Sequence, residues 1–231
     1  KFSLSKMTFN HQMLKLFFVN NYIELIQFLK MKNITTNKLN LIFATHNQNK
    51  IEEIKNYIPN EINLLSLDDI NFKSQIKETG NSFYENALIK ARHISIKYGI
   101  DCFSDDSGLE VDCLDGEPGI FSARYAGKPY NSEKNIDFLL DKIKSSKSRD
   151  ASFKTCIVLI HNNDEKIFEG KVQGQILFKR KGVKGFGYDS IFRPKGFESS
   201  FAEISLAEKN KISHRGIATR KLVKYLINNF H

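Results

Sequence analysis

The sequence predicts an α/β protein built on a mixed sheet, and two observations lead there. From residue 39 onward, short apolar runs of strand type alternate with segments of helical spacing, as crossover units require. Further along, two longer strand-like runs meet at Asn162-Asn163-Asp164, which marks an antiparallel hairpin. The 231 residues, 41% hydrophobic and 26% charged, suffice for one domain or two small ones with a substantial core, and they argue against global disorder.

Residues 1–38 are expected to be an N-terminal extension, partly helical or flexible. Phe18, Tyr22, Leu25, Ile26 and Leu29 recur at helical spacing there, and Glu24 is its one acidic residue. An organelle-targeting leader is the alternative, and the lack of arginine weakens it. The domain proper is expected over residues 39–231. Leu39 to Thr45 is apolar enough for a buried strand, and a polar turn, His46 to Asn49, follows. Ile51, Ile54 and Ile58 give Lys50 to Ile58 a helical face, and Pro59 ends it. Ser82-Phe-Tyr-Glu85 is a capping box opening a helix with Ala87, Leu88, Ala91, Ile94 and Ile96, closed by Gly99.

Cys102 to Ser104 reads as a brief strand running into acidic residues, and Gly108 to Pro129 as loop. Asn131 to Ser145 has Ile136, Leu139, Leu140 and Ile143 on one helical face. The hairpin strands are expected at Phe153 to Ile160 and Lys166 to Leu177, with a basic, glycine-punctuated loop from Lys179 to Gly187. Arg215 to Asn229 reads as a last helix, with Ile217, Leu222, Tyr225, Leu226 and Phe230 apolar.

Composition excludes several classes. Three cysteines, Cys102, Cys113 and Cys156, with no C-x-x-C pair, exclude a disulfide framework and a cysteine-rich zinc site, and imply a reducing compartment. The most apolar stretch, Met13 to Met31, is broken by Asn20, Asn21, Glu24 and Gln27, so no membrane span is expected. The net charge of +9 favours an anionic partner without choosing one. A nucleic-acid-binding module is the distant alternative, but lysine is spread along the chain and no reading element stands out, so no stable nucleic-acid partner is expected.

Four segments carry chemistry. Thr45-His46-Asn47-Gln48-Asn49-Lys50 joins a strand to a helix N-terminus, where orphan N–H groups and the helix dipole favour an anion; the plainer alternative is that Asn47 caps the helix. Ser104-Asp-Asp-Ser-Gly-Leu-Glu-Val-Asp112 offers paired carboxylates at a strand end, which suit Mg²⁺ beside substrate phosphates or serve as an acidic turn. Gly185-Phe186-Gly187-Tyr188-Asp189 puts a stacking ring between two glycines, or forms a hairpin turn with a core aromatic. Glu208 to Arg215 gathers Lys209, Lys211, His214 and Arg215 before a helix, as oxygen-binding cations or a solvated basic turn. Together they supply phosphate cations, a carboxylate pair, a stacking ring and an arginine, an inventory suited to a nucleoside triphosphate.

The ordered motifs T-H-N-Q-N-K, E-T-G-N-S-F-Y-E-N-A, D-D-S-G-L-E-V-D, P-G-I-F-S-A-R-Y-A-G, G-F-G-Y-D and E-K-N-K-I-S-H-R-G resemble those of the inosine triphosphate pyrophosphatase family, from about Leu39 to Asn228. The resemblance implies an elongated, two-lobed α/β fold with a nucleotide cleft between the lobes. It also implies Mg²⁺-dependent hydrolysis of ITP, dITP and XTP to monophosphate and pyrophosphate, and a homodimer; a cytoplasmic setting is expected, with organelle targeting by residues 1–38 as the alternative. By the same resemblance Asp106 is the catalytic carboxylate and metal ligand, and Ser107 contacts substrate beside it. Thr45 to Lys50 form the phosphate loop, Phe186 to Asp189 the base-stacking segment, and Lys209, His214 and Arg215 the remaining contacts. A related pyrophosphatase acting on modified pyrimidines or 7-methyl-GTP is the near alternative. Two positions depart from the pattern: Lys77-Glu78 stands where relatives carry two acids, leaving Glu78, or else Glu85, as the second metal ligand, and His46 stands where glycine is common.

Overall fold

The structure is a computed structural model that describes residues 38–229 together with residues 19, 20, 23 and 24. The expectation for 1–38 therefore falls almost wholly outside the described residues. The strands are β1 (Leu39–Phe43), β2 (Ile62–Ser66), β3 (Cys102–Val111), β4 (Asp150–His161), β5 (Asp164–Ile176) and β6 (Phe192–Pro194). The helices are α1 (Gln48–Lys55), α2 (Phe83–Tyr98), α3 (Ser132–Lys142), α4 (Leu206–Ile212) and α5 (His214–Asn229).

One mixed sheet runs in the order β2-β1-β3-β4-β5-β6. β1 is parallel to both β2 and β3, and the remaining neighbours are antiparallel. The helix starts and stops follow the local signals. Asn47 and Asn131 accept from the N–H three residues on, Ser82 does so for α2, and Gly99 ends α2 in the left-handed region. Asn162 and Asn163 both take positive φ, 51° and 66°, the backbone a two-residue hairpin turn between twisted strands demands.

Alternation along the strands divides the core. Ala87 and Ala91 of α2 pack on Cys156, Val158 and Ile160, while Ile54 of α1 and Ala218, Leu222 and Leu226 of α5 pack on Phe103, Ile157 and Leu159. The far halves of β3, β4 and β5 enter a separate cluster with α3, in which Leu109, Ile136, Leu139, Phe153, Phe192 and Phe201 are buried. The long strands thus carry a cluster on each face at one end and a third cluster at the other, which gives the expected two lobes, and the cleft lies between those ends.

The sequence reading needs three corrections. β3 does not end at Ser104 but continues to Val111, paired with β4 from Cys102↔Ile160 to Val111↔Ala151. Asp105 and Asp106 therefore sit inside a strand rather than at its end, and buried partners satisfy them as a turn's solvent would have done. The stretch read as loop after Gly108 holds that strand's end and two 3₁₀ turns, Asp112–Leu114 and Gly119–Arg124. Finally, β2, β6 and α4 were not anticipated; the first two are only five and three residues long, whereas α4 had a usable signal in its Ser205–Glu208 capping box.

Candidate functional site

α1 and α2 leave the β1–β2–β3 unit on opposite faces, so the carboxyl end of β1 is a topological switch point, where open α/β sheets bind ligands. β1 pairs with β3 only at Ile42↔Cys102 and Phe43↔Phe103. Beyond Ser104 β1 no longer borders β3, and a cleft of about 780 Å³ opens there. Thr45, His46, Asn47 and Lys50 line it, with the N-terminus of α1 beside them. Gln48 and Asn49 are exposed and lie outside the lining. His46 needs no glycine-only backbone; its Nδ1 lies 3.0 Å from Asp68 Oδ1.

Strand alternation sends Asp105 and Asp106 to opposite faces. Asp105 faces α1 and α5, where Lys50 Nζ donates to Oδ1 at 2.8 Å and Arg215 Nε to Oδ2 at 3.0 Å. Arg215 also binds Glu53 and donates from Nη2 to Ser107 Oγ at 2.6 Å. Glu53 in turn accepts from Lys209 Nζ at 2.6 Å, and Lys209 reaches Asp189 Oδ2 at 2.5 Å. The result is one row of alternating charge, buried from Asp105 onward: Lys50, Asp105, Arg215, Glu53, Lys209, Asp189. Burial opposes the ionised form of Asp105, yet the Lys50, Arg215 and Lys90 charges prevail and hold its carboxyl well below the usual range. Glu53 is lowered in the same way, with Arg215 and Lys209 outweighing burial.

Asp106 has the opposite character. It faces α2 and the cleft, and burial pushes its carboxyl up, with Lys90 and Lys50 offsetting only part of this. Adjacent carboxylates thus differ in kind: one is locked as an anion within the fold, the other has a strengthened hold on a proton, a division common among catalytic acid–base pairs. Asn86 Nδ2 donates to Asp106 Oδ2 at 3.0 Å. Across the cleft wall, Glu78 accepts from Lys90 Nζ at 2.6 Å and from Arg124 Nη1 at 3.4 Å. Lys90 also donates to the carbonyl of Asp105 at 2.8 Å.

Asp106 and Glu78 are oxygen donors lining one cleft, the kind of ligand of which Mg²⁺ takes one or two while substrate phosphates and water complete its shell. Their chemistry fits such an ion. Among the described residues no group of three or more His, Cys, Asp and Glu is placed to hold one by itself. Glu85 does not line the cleft; its Oε2 accepts from the N–H of Asn81 at 2.7 Å.

The opposite wall presents Phe186, half-buried, with Lys209 Nζ 4.9 Å from its ring centroid. The turn that carries this ring is folded by Asp189, whose Oδ2 accepts from the N–H of Phe186 at 2.8 Å. Gly185 has φ +74°, and a Cβ there would lie 2.1 Å from Asp189 Oδ2, so the turn requires glycine. Tyr188 belongs to the core: it is buried, and its hydroxyl donates to the carbonyl of Ser122 at 2.9 Å. His214 stacks on Phe153 at 4.6 Å between centroids, and its buried Nδ1 finds no partner among the described residues. Burial and the charges of Arg215 and Lys209 press its pKa well below the ordinary value, so the ring is neutral.

Thr45, His46, Asn47, Lys50, Asp106, Ser107, Phe186, Gly187, Tyr188, Asp189, Lys209, His214 and Arg215 all line this one cleft, as does Glu78. Sequence reasoning missed Glu53, Asn86, Lys90 and Arg124. Glu53 had a signal, since it shares the inward side of α1 with Ile54; Asn86 and Lys90 stand four apart beside the alanines of α2.

Fold and cleft together define an α/β protein with a polyanion-sized, cation-lined site at a strand switch point, equipped with one poised carboxylate. The chain belongs to the Ham1 family, whose sequence profile matches residues 41–225. It is 55% identical over 188 residues to the dITP/XTP pyrophosphatase of Christiangramia forsetii, covering 81% of this chain and 99% of that one. The dITP/XTP pyrophosphatase of Flavobacterium psychrophilum is 48% identical over 190 residues, 82% and 100% of the two chains. Among solved structures, a HAM1 protein from Coxiella burnetii superimposes with a TM-score of 0.77 at 36% identity, covering 82% of this chain and 99% of the other.

Proposed function

We propose that this chain hydrolyses non-standard purine nucleoside triphosphates, ITP, dITP and XTP, to the monophosphate and pyrophosphate with Mg²⁺. The observation that carries the reading is the sorting of Asp105 and Asp106: one is bound into the ionic row under the cleft, the other is left facing it with raised proton affinity. The names of the similar proteins, dITP/XTP pyrophosphatase, support the substrate class.

In this reading the triphosphate lies along the α1 N-terminus and Lys50, with the purine against Phe186. Asp106 accepts a proton from the water that attacks the α-phosphorus. The new P–O bond forms as the bond from the α-phosphorus to the α,β-bridging oxygen breaks, and pyrophosphate leaves. Mg²⁺, when bound to Asp106 and Glu78, supplies charge neutralisation and polarisation of phosphate oxygens. Base choice falls to a group that meets the 6-position, and Arg215, which lines the cleft, keeps an N–H on Nη2 beyond the one given to Ser107. A donor there accepts a 6-oxo purine and opposes the 6-amino group of adenine.

The test is pyrophosphate release across ITP, XTP, dITP, GTP and ATP, with Mg²⁺ and with chelator. Preference for the first three, lost on chelation, is expected; equal catalytic efficiency on ATP and ITP refutes the assignment of selectivity.

A further inference from the structure

Asn86 has no role in the reading above, yet it is fully buried in the first turn of α2. Both ends of its amide are used. Nδ2 donates to Asp106 Oδ2 at 3.0 Å, and Oδ1 accepts from the N–H of Gly80 at 2.9 Å. A backbone N–H only donates and an ionised carboxylate only accepts, so these two neighbours dictate the orientation of the amide. Gly80 lies two residues after Glu78. One side chain therefore ties the Asp106 carboxylate on β3 to the loop that bears Glu78.

The surroundings are built for this approach. A Cβ on Gly80 would lie 2.5 Å from Cβ of Glu85 and 2.9 Å from Oδ1 of Asn86, so any larger residue pushes the loop off the helix. The same loop is drawn onto α2 by the Ser82 cap and by the bond from Asn81 to Glu85. Asp106 is only 7% exposed, so water is a poor substitute for a lost donor. The terminal torsion of an aspartate is soft, and a single donor leaves the carboxylate free to swivel. Here Ser107 N–H donates to Oδ1 at 3.0 Å and Asn86 to Oδ2, two donors from different elements, which fixes the plane.

We propose that Asn86 is a positioning residue for the hydrolysis: it fixes the plane of the Asp106 carboxylate and sets the spacing of Asp106 from the Glu78 loop. The inference rests on Asp106 being the proton acceptor. The experiment compares wild type, Asn86→Ala, Asn86→Asp, Asp106→Asn and the double variant Asn86→Ala/Asp106→Asn. The measurements are ITP turnover, calorimetric binding of IMP without metal, and thermal unfolding. Asn86→Asp keeps the acceptor for Gly80 and the side-chain shape while placing an oxygen against Asp106, so it carries the test if Asn86→Ala does not fold.

Loss of an orienting partner of this kind typically costs about 10–100-fold in activity, and that fall is expected in kcat for both single variants. KM for ITP and IMP affinity are expected to stay within about threefold of wild type, since the lost interaction matters for chemistry and not for holding the nucleotide. In the Asp106→Asn background the further cost of Asn86→Ala is expected to shrink below about twofold, because the group it positions is gone. The proposal is overturned if a folded single variant keeps kcat within about threefold of wild type, if IMP binding falls as far as kcat, or if Asn86→Ala costs the same in both backgrounds. Near-normal turnover by Asp106→Asn instead removes the reading of Asp106 itself; an inactive Asp106→Asn beside fully active Asn86 variants removes only the present inference.

Discussion

Glu53 sits at the centre of the buried ionic row, and its replacement by glutamine is the sharpest probe of that row. It is 4% exposed and holds Lys209 and Arg215 at once. The row contains Lys50, Arg215 and Lys209 against Asp105, Glu53 and Asp189, three charges of each sign, so Glu53→Gln leaves one cation in excess. Breaking a buried pair from one side costs roughly 3–5 kcal/mol. Lys209 keeps Asp189 and Arg215 keeps Asp105, and the amide still accepts a hydrogen bond, so the low end applies, about 3 kcal/mol. For a chain of this size that corresponds to a fall in Tm of about 6–12 °C.

The pH dependence fixes the sign. Glu53's pKa is lowered in the folded state, so its contribution is complete above the ordinary carboxylate value of 4.5 and is lost as pH falls through the lower folded value. Circular-dichroism melts of wild type and Glu53→Gln at neutral and acid pH are the assay. The gap in Tm is expected to hold at neutral pH and to close in acid. A gap under about 2 °C at pH 7, or one that widens on acidification, refutes the reasoning.

The other predictions concern the acid pair and the purine turn. Asp106→Asn is expected to cost about 10²–10⁴-fold in kcat with Tm kept or raised, because the neutral amide is no longer an anion held in a poor environment. Asp105→Asn is expected to lower Tm by several degrees, because Lys50 loses its carboxylate partner and Arg215 loses one of its two; single-turnover kinetics and melts on the two variants separate the roles. Gly185→Ala places a methyl group against Asp189 in a left-handed backbone, so KM for ITP should rise more than kcat falls; an unchanged KM contradicts the placement of Phe186.

Much of the fold was legible because its signals are local. The Asn47 and Ser82 caps, the Gly99 stop and the Asn162-Asn163 turn each act within a few residues, and the structure places them where the sequence put them. The mid-strand position of Asp105 and Asp106 was not legible. Two acids in a row ordinarily signal a turn, and the groups that bury them, Lys50 and Arg215, lie 55 and 110 residues away along the chain. Lys50 and Arg215 were readable as cations for a ligand, but their engagement with Asp105 depends on how α1 and α5 meet β3, which no local pattern encodes. The position of Glu53 beside Ile54 marks it as inward-facing, but its partners Lys209 and Arg215 lie more than 150 residues away, and Asn86 looks like an ordinary helix residue until its contact with Asp106 is known. Tyr188 shows the converse: it lies in a motif that resembles a stacking segment, yet it is buried with its hydroxyl bonded to Ser122, and the ring of Phe186, two residues earlier, is the more open of the two.

The even balance of the ionic row has a consequence for how a guest must be received. A triphosphate brings several negative charges, and the floor beneath it is electrically self-contained. The remaining counter-charge has to come from the mouth of the cleft, where Lys77 and Lys128 are exposed, or travel in with the guest as an accompanying ion. Ionic strength should therefore act mainly on capture at the entrance, while the sealed floor keeps its geometry from dilute buffer to concentrated salt.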